Sequence, residues 1–420
     1  LTLTAGMQKD TISGKNQLLS SIETQGDTLR LSWDSPLKSE AQTWYEISVE
    51  MTITFVESQI EFRLHVDNRT PRTVSEVWYP IVGGISGIGD PADTRSTLYD
   101  FENSFEWYLA SAVDPSDAST GVVSEIKRAY AFEDWKTPDT RGPGNETGMP
   151  RVNMYNVKTR RGLYFASHDT CCRAQAFRFE KRPGIADDGG PDFSSPIGFM
   201  HWIYYPYTRP NKTFDGPPVV FRFHDGDWHN GAKIYAEWFR THFKIRDPRE
   251  DWLRQEMAYQ SSMFLSPEAE KIHWKFADIP GWAKGAKDHG VNTVHIAGWM
   301  EGGHYADQPS YWPDPRLGTW EELAEAIREC HAMGIKVIFF VNTYPLCMDL
   351  EWYDQELYKY RAISEHGEWR RETCAGCGTV SARMITARAL PWKQGRVRMT
   401  IDGSIGIPEF RELLVRQYRK

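Results

Sequence analysis

Cysteine is scarce, six in 420 residues, which excludes a disulfide framework. Cys171 and Cys172 are adjacent, Cys330 and Cys347 stand alone, and Cys374-Ala-Gly-Cys377 is the one C-x-x-C. A structural zinc needs a second ligand pair at comparable spacing, and His366 is the one nearby candidate, so no metal site is expected. The β-α pattern of a redox motif is missing around these thiols, and they read as a loop pair or a local disulfide. Long apolar runs are also missing. The longest, Val337-Ile338-Phe339-Phe340-Val341, is far short of the ~20 residues a membrane helix needs, so no membrane partner is expected. No glycine-rich phosphate loop follows any predicted strand, since Gly281 and Gly302-Gly303 fit neither nucleotide fingerprint, and no cofactor is expected. A basic surplus is absent too. With 49 Lys+Arg against 57 Asp+Glu, the net charge is −8, and no cationic stripe suggests nucleic acid.

What the chain has instead is aromatic surface: 17 Trp, 19 Tyr and 20 Phe. Such residues fill cores, and a surplus also lines concave sites for ring-shaped ligands. Three N-x-T sequons, at Asn68, Asn145 and Asn211, are as many as chance supplies and fix no compartment. The chain opens at Leu1 without a basic-apolar signal pattern, leaving export to a periplasm or beyond and a bacterial cytoplasm equally open.

The first half reads as β. Residues 43–55 and 62–66 alternate at period two, and 77–82, 151–157, 162–167, 174–179 and 219–223 add further strands between turn clusters. This predicts a β-sandwich over residues 1–227, with 85–150 and 181–218 as long functional loops. Residues 228–239 carry apolar positions three and four apart, and 228–254 reads as a linker helix. From 255 the grammar becomes β-α-β. Strands at 257–264, 292–297 and 335–341 alternate with helices at 278–288 and 319–333, the second opened by the capping box Thr319/Glu322 and closed at Gly334. The fold class is therefore multi-domain β plus α/β, with 255–420 as the first part of a (β/α)8 barrel.

A barrel's active site lies at the C-terminal ends of its strands. The second strand there runs into Trp299, Glu301, His304, Asp307, Tyr311, Trp312 and Asp314, and the third into Asn342 and Tyr344. Aromatic faces beside carboxylates and amides suit a sugar, so Trp299, His304, Asp307, Tyr311, Trp312, Asn342 and Tyr344 are expected to bind substrate. Glycoside hydrolysis needs two carboxyl groups flanking the scissile bond. Glu301, Asp307, Asp314 and Asp402 are the candidates. Asp402 follows the alternating run 397–401 and could close a strand, although Asp402-Gly403 reads better as a turn before the helix 408–419.

The run Gly298-Trp299, Gly302-Gly303-His304, Asp307, Tyr311-Trp312-Pro313-Asp314-Pro315, with His331, Gly334 and Asn342, resembles the barrel opening of DUF6259-type glycoside-hydrolase-like proteins. These are distant relatives of α-galactosidase and endo-α-N-acetylgalactosaminidase barrels. Upstream, Val66-Asp67-Asn68-Arg69-Thr70, Trp78-Tyr79-Pro80, 162–169 and Gly226-Asp227-Trp228-His229 resemble the galactose-mutarotase-like sandwich that precedes such barrels. The resemblance implies a glycosidase acting on an α-linked oligosaccharide or glycan through two carboxylates. It also implies a nucleophile at the end of a fourth strand, whereas only three barrel strands are countable here. The chain is thus expected to be part of a longer or split polypeptide, with the catalytic pair beyond residue 420 and a homo-oligomer or the remaining piece as partner. The alternatives are a non-catalytic carbohydrate-binding or assembly protein with this fold, and an epimerase using His168 and Asp169.

Overall fold

Along Gln59–Asn68 every second side chain from Leu64 onward is buried, while Arg63, His65 and Asp67 face outward. That alternation gives a strand one apolar face, and the chain has enough such strands to build two sheets. The computed structural model describes residues 1–6, 8–85, 87–90, 93–98, 121–127, 150–171, 173, 175–185, 191–244, 252, 256, 258–266, 271–303, 309–341, 343, 345–347, 350–363, 391–392, 396–397 and 400–419. It divides into two units, Leu1–Arg246 and Asp247–Lys420.

The first unit is a sandwich of two antiparallel sheets. One has six strands, in the order Gly121–Lys127, Gln175–Ile185, Pro191–Tyr204, Thr73–Ile85, Thr2–Ala5, Gln8–Thr11. The other has nine, running from Thr94–Leu98 through Arg151–Asn156, Arg161–Ser167, Val219–Asp225 and Gln59–Asn68 to Ser21–Gln25 at its far edge. Their inner faces share one core. Val77, Tyr79, Phe177, Met200 and Trp202 from the first meet Leu64, Val66, Val152, Leu163 and Phe165 from the second. Large buried aromatics keep their polar ends bonded: Trp202 Nε1 donates to Gln175 Oε1 at 2.8 Å, and the Tyr204 hydroxyl to Ser167 Oγ at 2.6 Å.

Two predicted loops contain strands instead. Thr94–Leu98 and Gly121–Lys127 fall within 85–150, while inside 181–218 Pro191–Tyr204 is a strand paired with Gln175–Ile185, which extends the predicted strand 174–179. Proline and glycine hid that hairpin. Pro183 lies where the register shifts between Arg182 and Gly184, so its missing N–H interrupts no regular pairing. Helix α1 (Trp228–His242), capped by Asp227 accepting from the His229 N–H, packs Tyr235 onto Tyr164, Ala166 and Val220 on the outer face of the nine-stranded sheet. Asn68, the first sequon, is fully buried and donates to the carbonyls of Arg72, Thr208 and Arg209, so folded protein offers no glycan acceptor there.

In the second unit Gln260–Met263, Thr293–Ala297 and Lys336–Phe339 form a parallel sheet in that order. Helices α2 (Ile279–Asp288) and α3 (Trp320–Ala332) supply its crossovers and bury Ile279, Ala283, Leu323 and Ala326 in its core. Both halves of the α3 capping box form: Thr319 N–H donates to Glu322 Oε2 at 2.8 Å, and Glu322 N–H to Thr319 Oγ1 at 3.2 Å. Among the described residues these three parallel strands form an open sheet, with no barrel closure. Beyond them Pro345–Cys347 pairs antiparallel with Thr400–Asp402, and helix α4 (Pro408–Tyr418) packs Phe410, Leu413 and Leu414 against Tyr353, Leu357 and Tyr360.

Candidate functional site

Parallel pairing puts the ends of all three strands, near Met263, Ala297 and Phe339, at one edge of the sheet. The chain leaves the second strand through Gly298 at φ +65°, where a Cβ would collide with the Leu265 carbonyl. Only glycine fits that turn. The following loop folds back on itself: Glu301 N–H donates to the Trp312 carbonyl at 2.6 Å, Asp314 N–H to the Trp299 carbonyl at 3.0 Å, and Met300 bridges Pro313.

Asp314 organises this loop. Its Oδ1 accepts from the backbone N–H and the Nε of Arg316, both at 2.9 Å, and its Oδ2 accepts from Arg316 Nη2 and the Gly302 N–H, both at 2.8 Å. Burial pushes the carboxyl upward, but the Arg316 guanidinium and the two backbone donors outweigh it, so Asp314 is held below the ordinary carboxylate range. A carboxylate with four donors, 1 % exposed, is unsuited to proton donation or attack. One of the four carboxylate candidates is thus a structural group. The partner that decides this, Arg316, lies two residues away in Asp314-Pro315-Arg316, a spacing that by itself does not distinguish a paired carboxylate from a free one.

The aromatic candidates divide the same way. Trp299, expected as a sugar platform, is 7 % exposed. It packs on Phe339 with ring centroids 4.9 Å apart and donates its Nε1–H to the Phe340 carbonyl at 2.9 Å. Tyr311 is equally buried and stacks on Tyr418 at 4.9 Å, with burial raising its phenol further above the usual value. Trp312 is different. It is 41 % exposed and stands edge-on to Trp320, 42 % exposed, at 5.7 Å. In the sequence Trp320, the first residue of α3, reads as part of a helix rather than of a site.

Asp402 is the last residue of the strand Thr400–Asp402, opposite Pro345, and the turn comes after it at 404–407. This reverses the preference for an Asp-Gly turn: antiparallel pairing with Pro345–Cys347, 53 or more residues earlier, supplies hydrogen bonds that local sequence does not announce. Topology brings this strand to the segment that leaves the third parallel strand. His304, Asp307, Asn342, Tyr344, Cys374 and Cys377 lie outside the described residues. On the sandwich, Asp169 accepts from Arg173 Nη1 at 2.5 Å and from the Cys171 N–H at 2.9 Å, and His168 shares a 2.9 Å hydrogen bond with the Tyr164 hydroxyl. Both are engaged within the fold, which disfavours the epimerase reading. Among the described residues no cluster of His, Cys, Asp and Glu is suited to a metal, and no helix is long and apolar enough to cross a membrane.

The domain of unknown function DUF6259 matches residues 217–402, bearing out the resemblance carried by the loop motifs. No curated protein sequence matches the chain. Among solved structures, ligand-free α-N-acetylgalactosaminidase NagBb from Bifidobacterium bifidum superposes with a TM-score of 0.60 at 13 % identity, covering 100 % of this chain and 62 % of that one. Its quadruple mutant gives 0.59 at 11 % identity with the same coverage. The GH36 α-galactosidase AgaA from Geobacillus stearothermophilus gives 0.47 at 12 % identity, over 95 % of this chain and 48 % of that one. The likeness to NagBb shows a glycoside-hydrolase-like fold, and the chain spans less than two thirds of the length of these neighbours.

Proposed function

We propose that this chain is the sandwich and the opening portion of the catalytic barrel of a glycoside hydrolase acting on an α-linked oligosaccharide or glycan. What supports it best is that Glu301 and Trp312, the latter paired with Trp320, belong to the loop leaving the second parallel strand, and that the strand ending in Asp402 pairs with the segment following the third. Exposed indoles suit the C–H face of a sugar, and two carboxylates are what glycosidic cleavage requires: one donates a proton to the leaving oxygen, the other attacks the anomeric carbon or activates water. Glu301, Asp307 and Asp402 remain the candidates for that pair, with further carboxylates expected in any barrel strands beyond this chain. His304, Asp307, Asn342 and Tyr344 are proposed to hold sugar hydroxyls. Fold likeness alone does not assign chemistry, since one fold hosts many activities.

The competing reading is a carbohydrate-binding or assembly protein of the same fold, favoured by the full engagement of Asp314 with Arg316. The test is release of aryl alcohol from aryl α-N-acetylgalactosaminide and aryl α-galactoside by the full-length protein. Turnover that falls at least ~10²-fold in Asp402→Asn or Glu301→Gln supports the enzyme reading. Glycan binding without turnover on any α-glycoside replaces it with the competing one.

A further inference from the structure

The outer face of the nine-stranded sheet holds a cavity of about 540 Å³ beneath α1, within the size range of small-molecule sites. We propose that it binds a monosaccharide-sized carboxylate, a sugar acid, through residues of the first unit alone. Gln59 and Glu61 line it from one strand, Arg222 from the next, His168 from the chain after Arg161–Ser167, and Glu237 and Trp238 from α1.

The charges in this cavity are unevenly satisfied. Glu61 is paired, its Oε1 lying 2.6 Å from Arg63 Nε. Arg222 is not: its Nε is buried with no hydrogen-bond partner, and it makes no ion pair among the described residues. Leaving a buried charged donor unmade is costly, and a carboxylate is the acceptor whose geometry matches a guanidinium. Neighbouring groups do not serve. Tyr164, directly opposite Arg222 in the ladder, has its hydroxyl engaged with His168 Nε2 in a 2.9 Å hydrogen bond. Arg222 shares the cavity with Glu237 and with Arg63, whose charge is taken by Glu61, and this balance favours a monoanion over a phosphate dianion.

Trp238 supplies the second half of the argument. His168 stacks on one of its faces at 4.4 Å and 12°, and His242 lies against the ring at 5.4 Å and 30°. The indole is therefore no platform for a neutral sugar, and recognition rests on charge, with Gln59 and Thr170 available to hydroxyl groups. This inference needs only the sandwich and is independent of the glycosidase reading.

The test is titration calorimetry on the whole chain with D-galacturonate, D-galactose and inorganic phosphate. Galacturonate differs from galactose only at the oxidised carbon and is expected to bind at least about tenfold more tightly, with Arg222→Gln removing that preference. Absence of saturable galacturonate binding, equal binding of galactose, or stronger binding of phosphate overturns the proposal. Should Arg222→Gln not fold, the exposed Glu237→Gln decides: relief of repulsion tightens galacturonate binding, and an unchanged affinity counts against the site.

Discussion

The indole Nε1 of Trp299 donates to the carbonyl of Phe340 across 2.9 Å, tying the loop after the second parallel strand to the end of the third. A tryptophan so placed holds two strand ends in register, and its energy is one of packing. Trp299→Ala is expected to destabilise the second unit by about 3–5 kcal/mol, read from urea or thermal unfolding. Trp299→Phe retains most of the buried ring and loses the hydrogen bond, for about 1–2 kcal/mol. Full stability with loss of glycan binding in Trp299→Ala would return this residue to the sugar site.

Asp314 and Arg316 form the second such relationship. Asp314→Asn is expected to cost about 1–3 kcal/mol, because it removes the buried acceptor of two backbone N–H groups and the counter-charge of the half-buried Arg316 guanidinium. The Asp314 pKa is depressed in the folded state, so its contribution is present above the ordinary value of 3.8 and is lost as the pH falls through the lower folded value. Acid unfolding of Asp314→Asn should accordingly start from a lower plateau and lack this component.

At Gly298 the prediction is steric. With φ at +65° and the Leu265 carbonyl against the position of a Cβ, Gly298→Ala must shift backbone on two strands at once. A loss of more than about 1 kcal/mol is expected, while Gly290→Ala, with the same sign of φ (+81°) but open space, should lose about 1 kcal/mol or less. Equal losses at the two positions would mean that strain, and not the collision, sets the cost.

His168 gives the sandwich a pH dependence. Burial, and then the nearby His242, lower its pKa from 6.5 to about 3. The unfolded chain therefore binds a proton that the folded one refuses between these values. Stability is complete above pH 6.5 and falls by up to about 1.4 kcal/mol per pH unit below it, until about pH 3. His168→Phe keeps a ring on Trp238 and removes the titration, so its unfolding midpoint should vary less between pH 7 and pH 4. An unaltered pH profile in that variant would assign the dependence to other groups.

Much of the architecture was legible in the residues because one side-chain period reports one environment. Alternation in 62–66, which lies inside the observed strand Gln59–Asn68, and the capping box at Thr319 and Glu322 each describe local chemistry that folding leaves intact. The Gly298–Leu317 motifs likewise pointed to the family that matches residues 217–402. The site was less legible, because residue type does not reveal engagement. Trp299, Tyr311 and Trp312 look alike as aromatic residues of one loop, yet two are buried and one is open. Asp314 reads as a free carboxylate until Arg316 and the Gly302 N–H are seen to take all its acceptor positions.

The same division holds for the molecule as a whole. By itself the sequence determined the β-then-β-α-β order, the single predicted parallel sheet and the lack of cysteine scaffold, phosphate loop and basic surface, since each depends on composition or on neighbours a few residues apart. Tertiary structure alone decided that Thr400–Asp402 pairs with Pro345–Cys347, that the proline-bearing stretch 191–204 is a strand, and that Arg222 faces a cavity unpaired. Those outcomes depend on groups tens to hundreds of residues apart competing for the same hydrogen bonds and the same buried volume, and no local pattern records who wins.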